Sequence, residues 1–318
     1  MAAAFDHPRF GQIVRTPDER FANLSGWTFA PHYVDDLKGR EGLRLHYVDE
    51  GPRNAEVTFL CLHGEPSWSY LYRKMLPVFV GAGRRVVAPD WFGFGRSDKP
   101  VKDEIYTFDF HRDTMTAFLD RMALKNVCIV VQDWGGLLGL TLPKDHPEIT
   151  RLLIMNTGIG TGASPGPGFN AWKAYAAANP DMDVGALMKR GTSVLTDAEK
   201  DAYNAPFPDI TYKAGVRRFP QLVPVDPAMD GVAHGRASAA FFREQWNGQS
   251  FMAIGQADPV LGEPVMRALH ATIRNCPEPM LIAEGGHFLQ EWGEPIARAA
   301  LTSFGLGSQT HPRGPDHS

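Results

Sequence analysis

Ile129-Val130-Val131-Gln132-Asp133-Trp134-Gly135-Gly136 is the stretch on which the fold turns. Its first part is a run of β-branched residues without a polar break, the pattern of a strand buried on both faces. Beyond the two glycines the chain continues as a helix through Leu137, Leu138 and Leu140. A strand that turns so sharply into a helix exposes the residue at the bend, and glycines just after it permit the close approach. Here that residue is Asp133. A carboxylate in this place faces the N-terminal end of a helix, where backbone N–H groups and the dipole favour its ionised form. It would be a charged nucleophile that needs no base to activate it. The same position also suits the plainer role of capping the following helix.

Outward from this bend, eight strand-like runs stand between turn residues. Trp27 to Val34 and Leu43 to Val48, joined by the short polar turn Asp35 to Gly39, predict an antiparallel pair. Val57 to Leu62, Arg85 to Ala88, Val127 to Gln132 and Leu152 to Met155 are nearly all apolar, and most are followed by a helical pattern. Such runs predict parallel strands covered on both faces. After Asn156 the texture changes to the Gly/Pro/Ser-rich Thr157 to Gly168, then to a helical, proline-punctuated region reaching about Val225. Parallel strands resume with Ser250 to Gly255 and Met280 to Ala283, and a helix from Glu294 to Phe304 follows. The prediction is an α/β protein: a mostly parallel eight-stranded sheet with helices on both faces and an inserted helical cap. The core would comprise residues 1–156 and 228–318, and the cap 157–227. The polar tail Ser308 to Ser318 is expected to be disordered.

Composition narrows the function classes. A chain of 318 residues holds one large α/β core with a smaller inserted piece. Net charge is −4, and no Lys/Arg block offers a phosphate footprint, which argues against a nucleic-acid partner. No run of about eighteen apolar residues is present, so no membrane partner is expected. The opening MAAAFDHPRFGQIVR lacks a basic segment followed by an apolar one, and the expected location is the cytoplasm. Of three cysteines, Cys61 and Cys128 fall in buried strands and Cys276 precedes a proline. They read as core fillers, not as a disulfide or metal set.

In a sheet of this kind ligands bind beyond the carboxyl ends of the strands. The seventh run leads into Gln256-Ala257-Asp258, and the eighth into Glu284-Gly285-Gly286-His287-Phe288. Nucleophile, then acid, then histidine is the chain order of the α/β-hydrolase fold. Among eleven histidines, placement after a strand and two glycines selects His287. The third run ends Leu62-His63-Gly64-Glu65-Pro66, a turn that aims a backbone N–H at the same rim. The N–H groups of Glu65 and Trp134 would form an oxyanion hole. His63 reads as a residue that fixes the loop.

The set His63-Gly64-Glu65-Pro66-Ser67-Trp68-Ser69-Tyr70, Asp90-Trp91-Phe92-Gly93-Phe94-Gly95, Val131-Gln132-Asp133-Trp134-Gly135-Gly136 and Gly286-His287-Phe288 resembles haloalkane dehalogenases. It is most similar to the branch typified by the 1,2-dichloroethane-degrading enzyme. The resemblance runs from about Phe21 to Phe304 and includes Phe169-Asn170-Ala171-Trp172-Lys173 and Val216-Arg217-Arg218-Phe219-Pro220. It implies that Trp134 and Trp172 grip the departing halide, and that Phe169 and Phe219 line the substrate pocket. Branches of the family carry the acid after the sixth or the seventh strand. Here Met155-Asn156-Thr157 offers no carboxylate, which leaves Asp258. The implied activity is hydrolysis of a short halogenated alkane to a primary alcohol, halide and a proton through an ester on Asp133. It needs water but no cofactor, and a monomer is expected. An epoxide hydrolase shares the Asp-Trp-Gly-Gly bend, and the cap tyrosines Tyr175, Tyr203 and Tyr212 keep that alternative open. A fluoroacetate-type dehalogenase would carry arginines near the nucleophile, and none follows Asp133. A catalytically silent binding protein of this fold would carry a damaged triad, whereas this one is whole.

Overall fold

A computed structural model describes residues 3–307, and the tail Ser308 to Ser318 lies outside the described residues. The chain opens on a hairpin, β1 (Ala3–His7) and β2 (Gly11–Arg15), absent from the sequence reading. Only Ile13 and Val14 of β2 are buried, so there is no apolar run to recognise. β3 (His32–Val34) and β4 (Leu45–Glu50) pair antiparallel as predicted. The first is shorter than the expected Trp27 to Val34. Pro31 has no N–H for a ladder, and Trp27 packs instead with Phe29, Trp68 and Tyr70 in an aromatic cluster.

Next come β5 (Thr58–Leu62), α1 (Leu76–Gly81), β6 (Arg85–Pro89) and the short β7 (Lys99–Pro100), which pairs with β2. α2 (Phe108–Met122) starts at Thr107, whose side chain accepts from the Phe110 N–H. It leads to β8 (Val127–Val131), α3 (Trp134–Gly139) and β9 (Ile149–Met155). Four helices then follow without a strand among the described residues: α4 (Pro167–Ala178), α5 (Val184–Arg190), α6 (Asp197–Asn204) and α7 (Ala214–Leu222). α8 (Val232–Glu244) returns the chain to the sheet with β10 (Gln249–Gly255), α9 (Glu263–Thr272), β11 (Met280–Ile282) and α10 (Gly293–Ser303).

The main sheet runs β11-β10-β9-β8-β5-β6-β4-β3, parallel from β11 to β6 and antiparallel at the β4, β3 edge. Every residue of the central β5 and β8 is buried, as their unbroken apolar sequences require. The chain adds β6 on one side of β5, then returns across β5 and adds β8, β9, β10 and β11 on the other. This reversal is the topological switch point, and it opens a crevice beyond the carboxyl ends of β5 and β8. With right-handed crossovers the reversal also moves the helices to the opposite face. α1 packs on α10, whereas α2 packs on α3 and α8 on α9.

A buried ionic group fastens α6 to the core, and the Arg217–Asp103 pair (2.7 Å) ties down α7. Arg73, in the segment before α1, donates to both oxygens of Glu291 (2.7 Å each) and to Glu199 of α6 (2.7 Å). Tyr203 of α6 donates to Glu291 Oε1 (2.5 Å). Removing Arg73 or Glu291 would take the chief partner from a buried charge, a loss of about 3–5 kcal/mol in comparable sites. Among the described residues no helix is long and apolar enough to cross a membrane. The three cysteines are unbridged, Cys61 and Cys128 in the core.

Candidate active site

Asp133 stands between β8 and α3 with φ 50° and ψ −124°, a conformation strained for any residue with a side chain. Its side chain makes no cap hydrogen bond to α3, so the capping role does not apply. Backbone contacts hold the bend. The Asp133 N–H donates to the Asn156 carbonyl (3.0 Å), and Thr157 Oγ1 donates to the Asp133 carbonyl (2.7 Å). Two glycines let the neighbouring loop come close. A Cβ on Gly135 would lie 1.9 Å from the Leu62 carbonyl oxygen, and one on Gly64 would lie 2.6 Å from Asp133 Cβ. The helix start and the loop after β5 therefore meet at the carboxylate. The Glu65 N–H donates to Asp133 Oδ1 (2.8 Å). The Trp134 N–H is the first of α3, one of the helix donors without an intrahelical acceptor.

Asp258 follows β10 and His287 follows β11. His287 Nδ1 lies 2.8 Å from Asp258 Oδ2, and His287 Nε2 lies 3.5 Å from Asp133 Oδ2. The Asp258 side chain is fully shielded from solvent, a costly place for a charge unless donors surround it. Asn156 Nδ2 donates to its Oδ2 (2.9 Å), and the N–H groups of Val260 (2.8 Å) and Leu261 (3.1 Å) donate to its Oδ1. Burial pushes this carboxyl up. The charge and hydrogen bond of His287, with Asn156 and the Val260 N–H, outweigh burial and hold it down to about 2. His287 feels the converse. Burial favours the neutral ring, but Asp258 and Asp133 together raise its pKa well above the ordinary histidine value.

Two residues that fix this pair escaped the sequence reading. Asn156, noted there only for lacking a carboxylate, binds Asp258 and also accepts from the Gly255 N–H (2.8 Å), tying the end of β9 to that of β10. Gln132 Nε2 donates to the His287 carbonyl (2.9 Å). Each is a lone polar residue at the end of an apolar run, a place that signals burial but names no partner.

These groups open on a cavity of about 830 Å³. Trp134 and Trp172 both line it, the first buried, the second half-buried on α4 and stacked on Tyr175. Trp68, Trp91 and Trp246 donate their indole N–H groups to Ala202 O, His63 O and Ser250 Oγ. Among the described residues, those of Trp134 and Trp172 have no protein acceptor, nor do those of Trp27 and of Trp292, the last of which also lines the cavity. Phe169 lines the cavity as expected. Phe219 does not: it is buried behind Trp134 (ring centroids 4.5 Å apart) and against Phe94 and His111. Apolar spacing announced that Phe219 is buried but not which surface covers it. His63 fixes its loop, accepting from the Trp91 N–H at Nε2 (3.1 Å). None of the three cap tyrosines lines the cavity, and the Tyr203 hydroxyl is spent on Glu291. Arg190 of α5 and Arg243 of α8 do line it, far from Asp133 in sequence.

Residues 57–294 match the family described as alpha/beta hydrolase fold. The chain is 45% identical over 295 residues to a haloalkane dehalogenase of Psychrobacter cryohalolentis, covering 90% of this chain and 96% of the relative. It is 42% identical over 288 residues to haloalkane dehalogenase 1 of Mycobacterium tuberculosis, covering 88% of this chain and 94% of the relative. Among solved structures, the tetrameric haloalkane dehalogenase DpaA from Paraglaciecola agarilytica NO2 superposes with a TM-score of 0.90 at 49% identity, covering 92% of this chain and 98% of that one. With relatives this similar along nearly its whole length, the chain belongs to the haloalkane dehalogenases, hydrolases of carbon–halogen bonds built on the α/β-hydrolase fold.

Proposed function

We propose that Asp133 is the nucleophile, His287 the base and Asp258 the acid that orients it, in a two-step hydrolysis of short halogenated alkanes. The observation that carries this reading is the setting of the Asp133 carboxylate. One oxygen is held by the Glu65 N–H and the other is turned toward His287, beneath a cavity lined by the unclaimed indole donors of Trp134 and Trp172. In the first step an Asp133 oxygen bonds to the substrate carbon in line with the halogen, and the carbon–halogen bond breaks with its electron pair on the halide. Trp134 and Trp172 donate to that anion as its charge develops. In the second step His287 takes a proton from water while the water oxygen attacks the ester carbonyl of Asp133. The N–H groups of Glu65 and Trp134 stabilise the resulting oxyanion. Its collapse frees a primary alcohol and restores the carboxylate.

Electrostatics suit this order. While Asp133 is an anion, two carboxylates favour the protonated ring of His287. Ester formation removes one of those charges, which moves the ring toward its free-base form at the point where it must accept a proton. Residues 157–227 act in this reading as the cap over a core of 1–156 and 228–318. One chain supplies every group the mechanism uses, so a cytoplasmic monomer would be competent, and sedimentation measures whether it instead assembles as DpaA does.

Opening an epoxide requires acidic donors over the ring oxygen, and the three cap tyrosines stand outside the cavity. Halide release from 1,2-dibromoethane, compared with diol formation from styrene oxide, tests the reading. Bromide release with little diol is expected, and efficient diol formation without dehalogenation would overturn it. Trp172→Phe keeps a ring but loses the N–H, which should weaken bromide binding by about 1.5–3 kcal/mol, the worth of a donor to a charged group. Bromide quenching of tryptophan fluorescence measures this. Unaltered quenching together with unaltered kinetics would return Trp172 to a packing role.

A further inference from the structure

A third carboxyl group stands beside Asp133 and shares the cavity with Asp258. Glu65 follows β5, and the mechanism so far uses only its backbone N–H. Its residue is 4% exposed, and it lines the cavity. The surroundings of the three carboxyls differ in kind. Asp258 is ringed by His287, Asn156 and two backbone N–H groups. Asp133 has the Glu65 N–H and faces His287. Neither carboxyl oxygen of Glu65 receives a hydrogen bond from any described residue, and Oε1 is shut off from solvent without a partner. A buried anion with no donor is costly, and a second one next to an ionised carboxylate is costlier. The proton therefore belongs on Glu65. Burial first, and then the charge of Asp133, push its carboxyl well above the ordinary glutamate range, with His287 opposing.

A neutral carboxyl offers what an anion beside Asp133 would not: a carbonyl acceptor that leaves the nucleophile's charge alone. The water of the second step has two O–H groups. One is donated to His287 Nε2, and a second acceptor is needed to turn its lone pair toward the ester carbonyl. We infer that Glu65 is a positioning residue held as a neutral carboxylic acid, whose carbonyl oxygen accepts the second O–H of the attacking water and so aims it at the Asp133 ester. Its own proton is not transferred. The inference rests on Asp133 as nucleophile and His287 as base.

Glu65→Leu and Glu65→Gln, followed through a single turnover of 1,2-dibromoethane by rapid-quench bromide assay and mass spectrometry, test it. The leucine variant should still release about one bromide per site, then hydrolyse the ester about 10- to 100-fold more slowly than the wild type. The adduct on the Asp133 peptide should accumulate accordingly. Glutamine supplies a carbonyl that cannot ionise, and should recover most of that loss. Infrared difference spectra of the wild type against Glu65→Gln should contain the carbonyl stretch of a protonated carboxyl group at neutral pH, a measurement that holds even if the leucine variant does not fold. Ester hydrolysis as fast in Glu65→Leu as in the wild type would overturn the inference. So would a glutamine variant as slow as the leucine one, or carboxylate bands in place of the protonated signal. An adduct on a residue other than Asp133 would instead overturn the nucleophile assignment, and the inference with it.

Discussion

Asp133→Ala is expected to lower turnover of a bromoalkane on the order of 10⁴-fold or more, the scale on which covalent nucleophiles act. In the proposed mechanism the lost carboxylate forms the ester, and no neighbour can stand in for it. Asp258 is enclosed by four donors, and Glu65 has no donor to support an anion. The fold should survive. The bend is held through the Asp133 backbone N–H and carbonyl, to Asn156 and Thr157, and alanine keeps both bonds. Circular dichroism and thermal melting should therefore match the wild type while halide release falls to the blank. Substantial activity in the folded variant would remove Asp133 from its role.

His287→Gln should separate the two halves of the reaction. Displacement needs only the Asp133 carboxylate, so the variant should release about one equivalent of halide per site and then stall. Steady-state turnover should fall about 10²- to 10⁴-fold, the range for a lost general base. Mass spectrometry should find the alkyl adduct on the peptide containing Asp133. Normal turnover would discard His287 as the base. In the wild type the same logic gives a pH signature. A base must be unprotonated, so ester hydrolysis is lost as pH falls through the value of His287 in the ester form, whereas displacement does not need the unprotonated ring. Acid quenching across this window should trap more adduct at the lower pH. An adduct level independent of pH would contradict the assignment.

The proposed triad was legible in the sequence because each member hangs on a strand end: Asp133 after β8, Asp258 after β10 and His287 after β11. An unbroken apolar run followed by glycine is a local signal that survives whatever the rest of the chain does. The hairpin β1–β2 and the two-residue β7 gave no such signal, since short strands with one or two buried residues resemble loops. Trp27 and Phe29 misled for the opposite reason. Their β-propensity is real, but it was satisfied by edge-on packing in an aromatic cluster instead of by a ladder.

The sequence alone determined the class of fold and the eight strands of the main sheet, and it singled out the groups proposed to react. All of these follow from local periodicity, turn residues and motif order. Only the tertiary structure decided which partner each polar group meets. Asn156 reaches Asp258 across 102 residues, and Gln132 reaches the His287 carbonyl across 155. It also decided that Phe219 braces Trp134 instead of lining the cavity, and that Glu65 is left without a donor. The physical reason is that a buried position is announced by its neighbours in the chain. What covers it, and whether that surface can donate a hydrogen bond, is set by sheet order and helix packing between segments distant in sequence.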